Sequence, residues 1–193
     1  MTTGLLELSG ITKSYGSRRV LDDVSFTVAP GRLTGFVGGN GAGKTTTMRI
    51  ILGLLSSDGG RVDLDGAPLT TADRRRFGYM PEERGLYPKM KVLEQIVYLA
   101  RLHGFGKPDA TERATALLTE LGLGERLDDT IESLSLGNQQ RAQIAASLVH
   151  DPEVLILDEP TSALTAREVE RVFNVIRGFL DRDHAIVFIS HKM

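Results

Sequence analysis

The sequence predicts an α/β fold, a mainly parallel sheet flanked by helices, with an antiparallel β part towards the N-terminus and an inserted helical subdomain. Three observations lead there. Short apolar runs at residues 33–37, 154–157 and 185–189 read as strands, the last two apolar throughout as strands buried on both faces must be. Helix-period stripes lie between such runs, which makes the connections crossovers and the pairing parallel. Between residues 92 and 124 only helical periodicity remains. A chain of 193 residues has room for one compact unit with one inserted lobe. The expected division is therefore a single domain over 1–193, with a β-rich core at 1–81 and 151–193 and a helical part with its leading loop at 82–150.

Taken in order, residues 24–28 alternate as a strand and stop at the turn pair Pro30-Gly31, after which 33–37 leads into glycines. A helix is expected over 45–55, where Met48, Ile51, Leu52 and Leu55 share one face, closed by Gly59-Gly60. Residues 61–64 with Asp65-Gly66 form one arm of a tight hairpin, and 77–80 a strand ending at Pro81. In the helical lobe Val92, Ile96 and Leu99 make one stripe and Ala110, Ala114, Leu117, Leu118 and Leu121 another. Asp109 and Glu112 have capping-box spacing there, and Gly122 marks the helix end. A third helix begins after Ser135 and stops before Asp151-Pro152. A last one carries Val169, Val172, Phe173, Ile176 and Leu180 between the two buried strands.

Composition removes several chemistries. With 23 basic and 25 acidic side chains the net charge is −2, so there is no basic footprint and no nucleic-acid partner is expected. The absence of cysteine excludes disulfides, thiolate nucleophiles and Cys-ligated zinc, and His103, His150, His184 and His191 lack metal-ligand spacing. No basic segment followed by an apolar stretch opens the chain, and no apolar run approaches the ~18 residues of a membrane span. The expected location is cytoplasmic, peripheral on the membrane's inner face only through a partner.

The motif that carries most chemistry is Gly38-Gly39-Asn40-Gly41-Ala42-Gly43-Lys44-Thr45, a G-x-x-x-x-G-K-[ST] loop between a predicted strand and a predicted helix. Glycines let backbone N–H groups curl around a phosphate, and the helix start adds positive potential. Lys44 reaches the β- and γ-phosphates, Thr45 offers a hydroxyl to Mg2+, and Thr46 continues the first turn. The competing reading is a glycine-rich turn with an incidental lysine. At 154–159 an apolar strand delivers Asp158 and Glu159 to its C-terminal end, where ligands bind in open parallel sheets. Asp158 suits a Mg2+ ligand and Glu159 an acceptor for the proton of an attacking water; an acidic helix start is the alternative.

A third motif, Leu134-Ser135-Leu136-Gly137-Asn138-Gln139-Gln140-Arg141, lies 21 positions before Asp158, counted from Gly137. Ser135 is a natural N-cap, and with Gly137 and Asn138 it makes a second helix end able to bind an anion, or simply a Ser-capped helix. This stretch resembles the signature of ATP-binding cassette (ABC) transporter ATPase subunits, and the resemblance extends over essentially the whole chain. It implies the ABC-type P-loop NTPase fold, Mg-ATP as cofactor, and hydrolysis to ADP and phosphate. It also implies a head-to-tail pairing with a second ABC ATPase subunit, like or unlike, whose signature caps this chain's ATP, and a polytopic membrane permease as the driven partner. Tyr15 falls where the family stacks an aromatic ring on adenine, a surface strand tyrosine being the alternative, and His191 where it has a switch histidine. The texture of residues 81–92 and 134–141 is similar to ATPases that extrude sodium, antibiotics or drugs.

The chain departs from that pattern in places. Glu82 stands where the family has a glutamine; it can ligate Mg2+ but adds negative charge beside a polyphosphate. Thr165 replaces an aspartate, Leu136 a frequent glycine, and Gly39 a frequent proline. Only Lys192 and Met193 follow His191, so the chain is expected to be a truncation with an exposed sheet edge. Arg84, Lys89 and Lys91 border the Glu82 loop as a solvated basic edge or a contact for a partner. The rival classes are a non-transport ABC ATPase and a catalytically weak nucleotide-binding remnant.

Overall fold

The computed structural model describes residues 5–39, 41–83 and 85–190. Asn40, Arg84 and His191 lie outside them. A four-stranded antiparallel sheet, in the order β2-β1-β4-β5, is built from β1 (Leu6–Tyr15), β2 (Arg18–Val28), β4 (Gly59–Leu64) and β5 (Ala67–Pro68). A parallel sheet, in the order β3-β8-β7-β6, is built from β3 (Leu33–Val37), β6 (Phe77–Met80), β7 (Val154–Asp158) and β8 (Ala185–Ser190). The helices are α1 (Lys44–Ile51), α2 (Val92–Leu102), α3 (Lys107–Glu120), α4 (Leu136–Leu148) and α5 (Ala166–Leu180).

The apolar runs become buried strands because they serve two cores at once. Every residue of β7 is buried. Val154 and Ile156 enter one core with the antiparallel strands and α1; Leu155 and Leu157 enter the other with the helices α2 to α5. β8 divides in the same way, Ala185, Val187 and Ile189 against Ile186. A period of two with both faces covered leaves no position for a polar side chain until the strand ends, at Asp158.

Two expected boundaries are corrected. Helix α1 stops at Ile51 rather than Leu55, and the residue that turns the chain is Gly53, with φ +72 and the paired bonds Gly53 N–H to Ile50 C=O and Leu54 N–H to Arg49 C=O. Gly59 and Gly60 open β4 instead of closing the helix. Helix α3 starts at Lys107, with Gly106 as N-cap and Pro108 in the first turn. Proline lacks the N–H that a first turn leaves unpaired, so Asp109 sits inside the helix and no Asp109–Glu112 capping box forms. The stripe of α2 is deeper at Ala100 than at Leu99.

Candidate functional site

In a parallel sheet the C-terminal ends of all strands open on one edge. The register sets them side by side: Val37 pairs with Ser190, Asp158 with Ile189, and Met80 with Leu157. The loops after β3, β6 and β7 therefore meet along that edge, and they carry the phosphate loop, Glu82, and Glu159 beside Asp158.

The loop after β3 enters α1 through Gly43, the N-cap, at φ +85. A side chain there would strike Leu21 and the Val20 carbonyl of β2, so this position requires glycine on grounds of both conformation and space. Lys44 is buried and its ammonium folds back over the loop, donating to Gly38 C=O at 2.5 Å and Gly39 C=O at 3.0 Å; Ala42 N–H closes a turn on Gly39 C=O. Tyr15, Arg18, Val20, Gly41, Ala42, Gly43, Lys44, Thr45, Thr46 and Glu82 line a cavity of about 630 Å³. Tyr15, with half its surface exposed, and Arg18 face each other across the β1–β2 turn at the mouth.

Backbone N–H groups of a helix start, an ammonium and a guanidinium around one concavity suit a polyphosphate, and a half-open aromatic face at its mouth suits a flat base. Thr45 and Glu82 line this cavity, and Asp158 ends β7 without lining it; the hydroxyl and carboxylate oxygens are hard donors of the kind Mg2+ takes. Tyr79 senses the local acidity: its hydroxyl pKa is pushed up by burial first and then by the charge of Asp158.

Glu159 follows Asp158 in a left-handed conformation, φ +50, unusual for a residue with a side chain. Its N–H donates to Ile189 C=O and its C=O accepts from the Gln140 carboxamide at 2.7 Å. Ser135, Gly137 and Asn138 do not line the cavity of the phosphate loop. Ser135 caps α4, its hydroxyl accepting from Asn138 N–H at 3.3 Å, and is exposed with Leu136. Gly137 is buried against the Ala163 carbonyl and the Glu168 carboxylate. Thr165, which replaces the family's aspartate, caps α5 in a reciprocal box with Glu168. The Thr165 N–H and hydroxyl, before the nearby Arg141, hold the Glu168 carboxyl below its usual range.

Sequence reasoning missed Arg18 and Val20 on the cavity wall; the turn Gly16-Ser17, three residues from Tyr15 to Arg18, is the signal that brings Arg18 back to the site. It also gave no role to Gln140 and Arg141, although both stand in the Leu134–Arg141 motif, and missed Gln143, which lies just beyond it. Away from this edge a groove of about 670 Å³ lies on the helical lobe, with Leu93, Val97, Tyr98 and Leu127 on its walls and Lys91, Arg101 and Lys107 among its charged groups.

A family model described as ABC transporter matches residues 21–162. An uncharacterized ABC transporter ATP-binding protein of Bacillus subtilis, YhaQ, is 40% identical over 98% of this chain and 63% of its own length. The linearmycin resistance ATP-binding protein LnrL of the same organism is 32% identical over 98% of this chain and 62% of its own length. A ribose import ATP-binding protein, RbsA, of Caldanaerobacter subterraneus is 34% identical over 98% of this chain and 40% of its own length. The chain thus spans less than two thirds of the length of these relatives. A solved structure of an ATP-binding subunit of an ABC transporter superposes with TM-score 0.86 at 30% identity, over 97% of this chain and 79% of that one. Across the phosphate loop, the acidic strand and the signature helix the likeness is continuous, and the chain belongs to the ABC transporter family as one of its ATP-binding subunits.

Proposed function

We propose that this chain binds Mg-ATP, hydrolyses it to ADP and phosphate, and powers export of a small substrate or ion through a separate polytopic membrane protein. The observation that carries the reading is the shared cavity of the Gly41–Thr46 stretch with Tyr15, Arg18 and Glu82. Lys44 neutralises the β- and γ-phosphates, leaving its loop carbonyls to do so, and the backbone of the loop holds the phosphate chain. Tyr15 supports the base. Thr45 and Asp158, with Glu82, hold the cation, which when bound supplies charge neutralisation at the phosphate oxygens. Glu159 accepts the proton of the attacking water. His191 and Asn40 keep their roles in the proposal on sequence alone, as the γ-phosphate contact and part of the phosphate loop.

A second ABC ATPase subunit, identical or not, completes the site: Ser135, Gly137 and Asn138 lie off this chain's own cavity, and Ser135 with its neighbour Leu136 is exposed at the start of α4, where a partner's nucleotide would be capped. Residues 82–150 act as the lobe that meets the membrane protein, with the groove beside Tyr98 as its docking surface. No helix among the described residues is long and apolar enough to cross a membrane. In this reading the chain sits on the cytoplasmic face through its partner. The likeness to LnrL favours export from the cell. Import is the second reading, favoured by the likeness to RbsA proteins.

The test measures ATP turnover, with Mg2+ and with it chelated, in the native chain and in Glu159→Gln. Turnover that vanishes in the variant while ATP binding persists is the expected result; no turnover above background in the native chain defeats the motor and leaves the remnant. Recovery of a polytopic membrane protein with the chain, and the direction of transport in vesicles holding both, then decide partner and direction. Recovery of DNA or ribosomes instead would defeat the transport reading.

A further inference from the structure

Helix α4 carries two buried glutamines, Gln140 and Gln143, three positions apart and so on one face. That face comes close to β6 because Gly78 has no side chain: a Cβ there would strike the Ser147 carbonyl, Pro152 and Leu155. His150, at the far end, bonds Phe77 C=O at 3.1 Å, so α4 runs antiparallel to β6. Seven residues of helix back from His150, about 10 Å, and four residues of strand on from Phe77, about 13 Å, bring Gln143 level with Pro81. There its carboxamide N–H group donates to Pro81 C=O at 2.8 Å and to Glu83 C=O at 3.0 Å, one on each side of Glu82. One turn nearer the N-terminus Gln140 donates to Glu159 C=O at 2.7 Å, and its carboxamide oxygen accepts from Ala163 N–H at 3.1 Å. A single amide thereby holds both ends of the turn that keeps Glu159 left-handed.

We propose that Gln140 and Gln143 are positioning residues which fasten the Glu159 turn and the Glu82 loop to the signature helix, so that a shift of Ser135 and Gly137 against a bound partner moves both carboxylates together. Neither glutamine touches the cavity; each acts through backbone that carries a carboxylate. The inference rests on the ATPase reading for its catalytic consequence, but not for its geometry.

Two kinds of measurement separate these. Amide hydrogen exchange of Gln140→Leu is expected to speed at least about tenfold at Ala163, whose N–H donates to that side chain, with the rest of α4 unchanged. Gln143 bonds carbonyls only, so its loss is read by cleavage with a glutamate-specific protease at 82–83, expected to speed at least about tenfold in Gln143→Leu. ATP turnover in either variant is expected to lose at least about tenfold in kcat with KM for ATP within about twofold. Gln140→Glu keeps the oxygen for Ala163 but loses the donor to Glu159, and is expected to match Gln140→Leu in kcat while keeping Ala163 protected. Should Gln143→Leu fail to fold, Gln143→Glu keeps the length of the side chain and removes the donor in its place. Unchanged exchange at Ala163 and unchanged cleavage at 82–83 overturn the fastening. Changed exchange with unchanged kcat, in a chain whose turnover still depends on Glu159, overturns the positioning role. A native chain without turnover sinks the ATPase reading alone, and the exchange result still decides the latch.

Discussion

Helices α1 and α4 both begin with backbone N–H groups near solvent, yet they are held by opposite means. The start of α1 is secured within its own loop, by the left-handed Gly43 and by Lys44 lying over Gly38 C=O and Gly39 C=O. The start of α4 is secured by segments far away in sequence. Arg141 donates to Leu121 C=O at 2.7 Å beyond α3, to the Asn138 carboxamide, and to Glu168 of α5 at 3.0 Å, while Gln140 and Gln143 hold the loops after β7 and β6. A seat held locally stays put when the rest of the protein shifts. A seat tied to four other segments carries them with it.

The sharpest break of this comparison is Lys44→Ala. It removes the one ammonium of the α1 seat, and turnover is expected to fall by about 10²–10³-fold, with nucleotide binding by the single chain lost in equilibrium titration. Arg141→Ala attacks the other seat through its anchors. It leaves the Glu168 carboxylate without its buried partner, and a loss of about 3 kcal/mol in denaturant unfolding is expected. A loss below about 1 kcal/mol would mean that α4 is not tied down as described. Ser135→Ala is smaller, about 1 kcal/mol for a lost cap. It is expected to leave nucleotide binding by the single chain intact and to lower turnover only in the paired state, so a fall in single-chain binding would merge the two seats into one. Glu82→Gln is expected to keep or raise turnover, since it removes a negative charge from the phosphate cavity; a complete loss would contradict this.

The smallest effect concerns the far end of α4, where the rings of His103 and His150 stack at 3.8 Å. Burial, and then the neighbouring His103, lower the His150 pKa to about 4. An unfolded chain takes up that proton near pH 6.5, before the folded one does. The contribution to stability is therefore complete above about pH 6.5 and is lost as pH falls from there through about 4. His150→Gln is expected to show less loss of unfolding free energy between pH 7 and pH 5 than the native chain.

The same contrast explains what was legible. The phosphate loop is one contiguous motif between a strand and a helix, and the cavity at Gly41–Thr46 stands where that spacing puts it. The apolar run 154–157 and the Ser135 cap are equally local, and both appear at the expected positions. The end of α1 was misjudged because Gly59-Gly60 punctuates as strongly as Gly53, and only the packing of β4 beside β1 assigns the later pair to a strand. The roles of Gln140, Arg141 and Gln143 were not legible because each has a backbone carbonyl 19 to 62 positions away among its partners, and backbone is the same at every residue.

By itself the sequence determined the alternation of strand and helix, the phosphate loop, and the delivery of two carboxylates to a strand end, since each depends on neighbours within a few residues and on burial period. The tertiary structure alone decided which strand ends lie side by side, that Glu82 shares a wall with Lys44, and that the signature helix holds the loops of both Glu82 and Glu159. Those choices depend on sheet order and on the close approach of α4 to Gly78, and the energy that selects them comes from contacts between distant residues that no local pattern encodes.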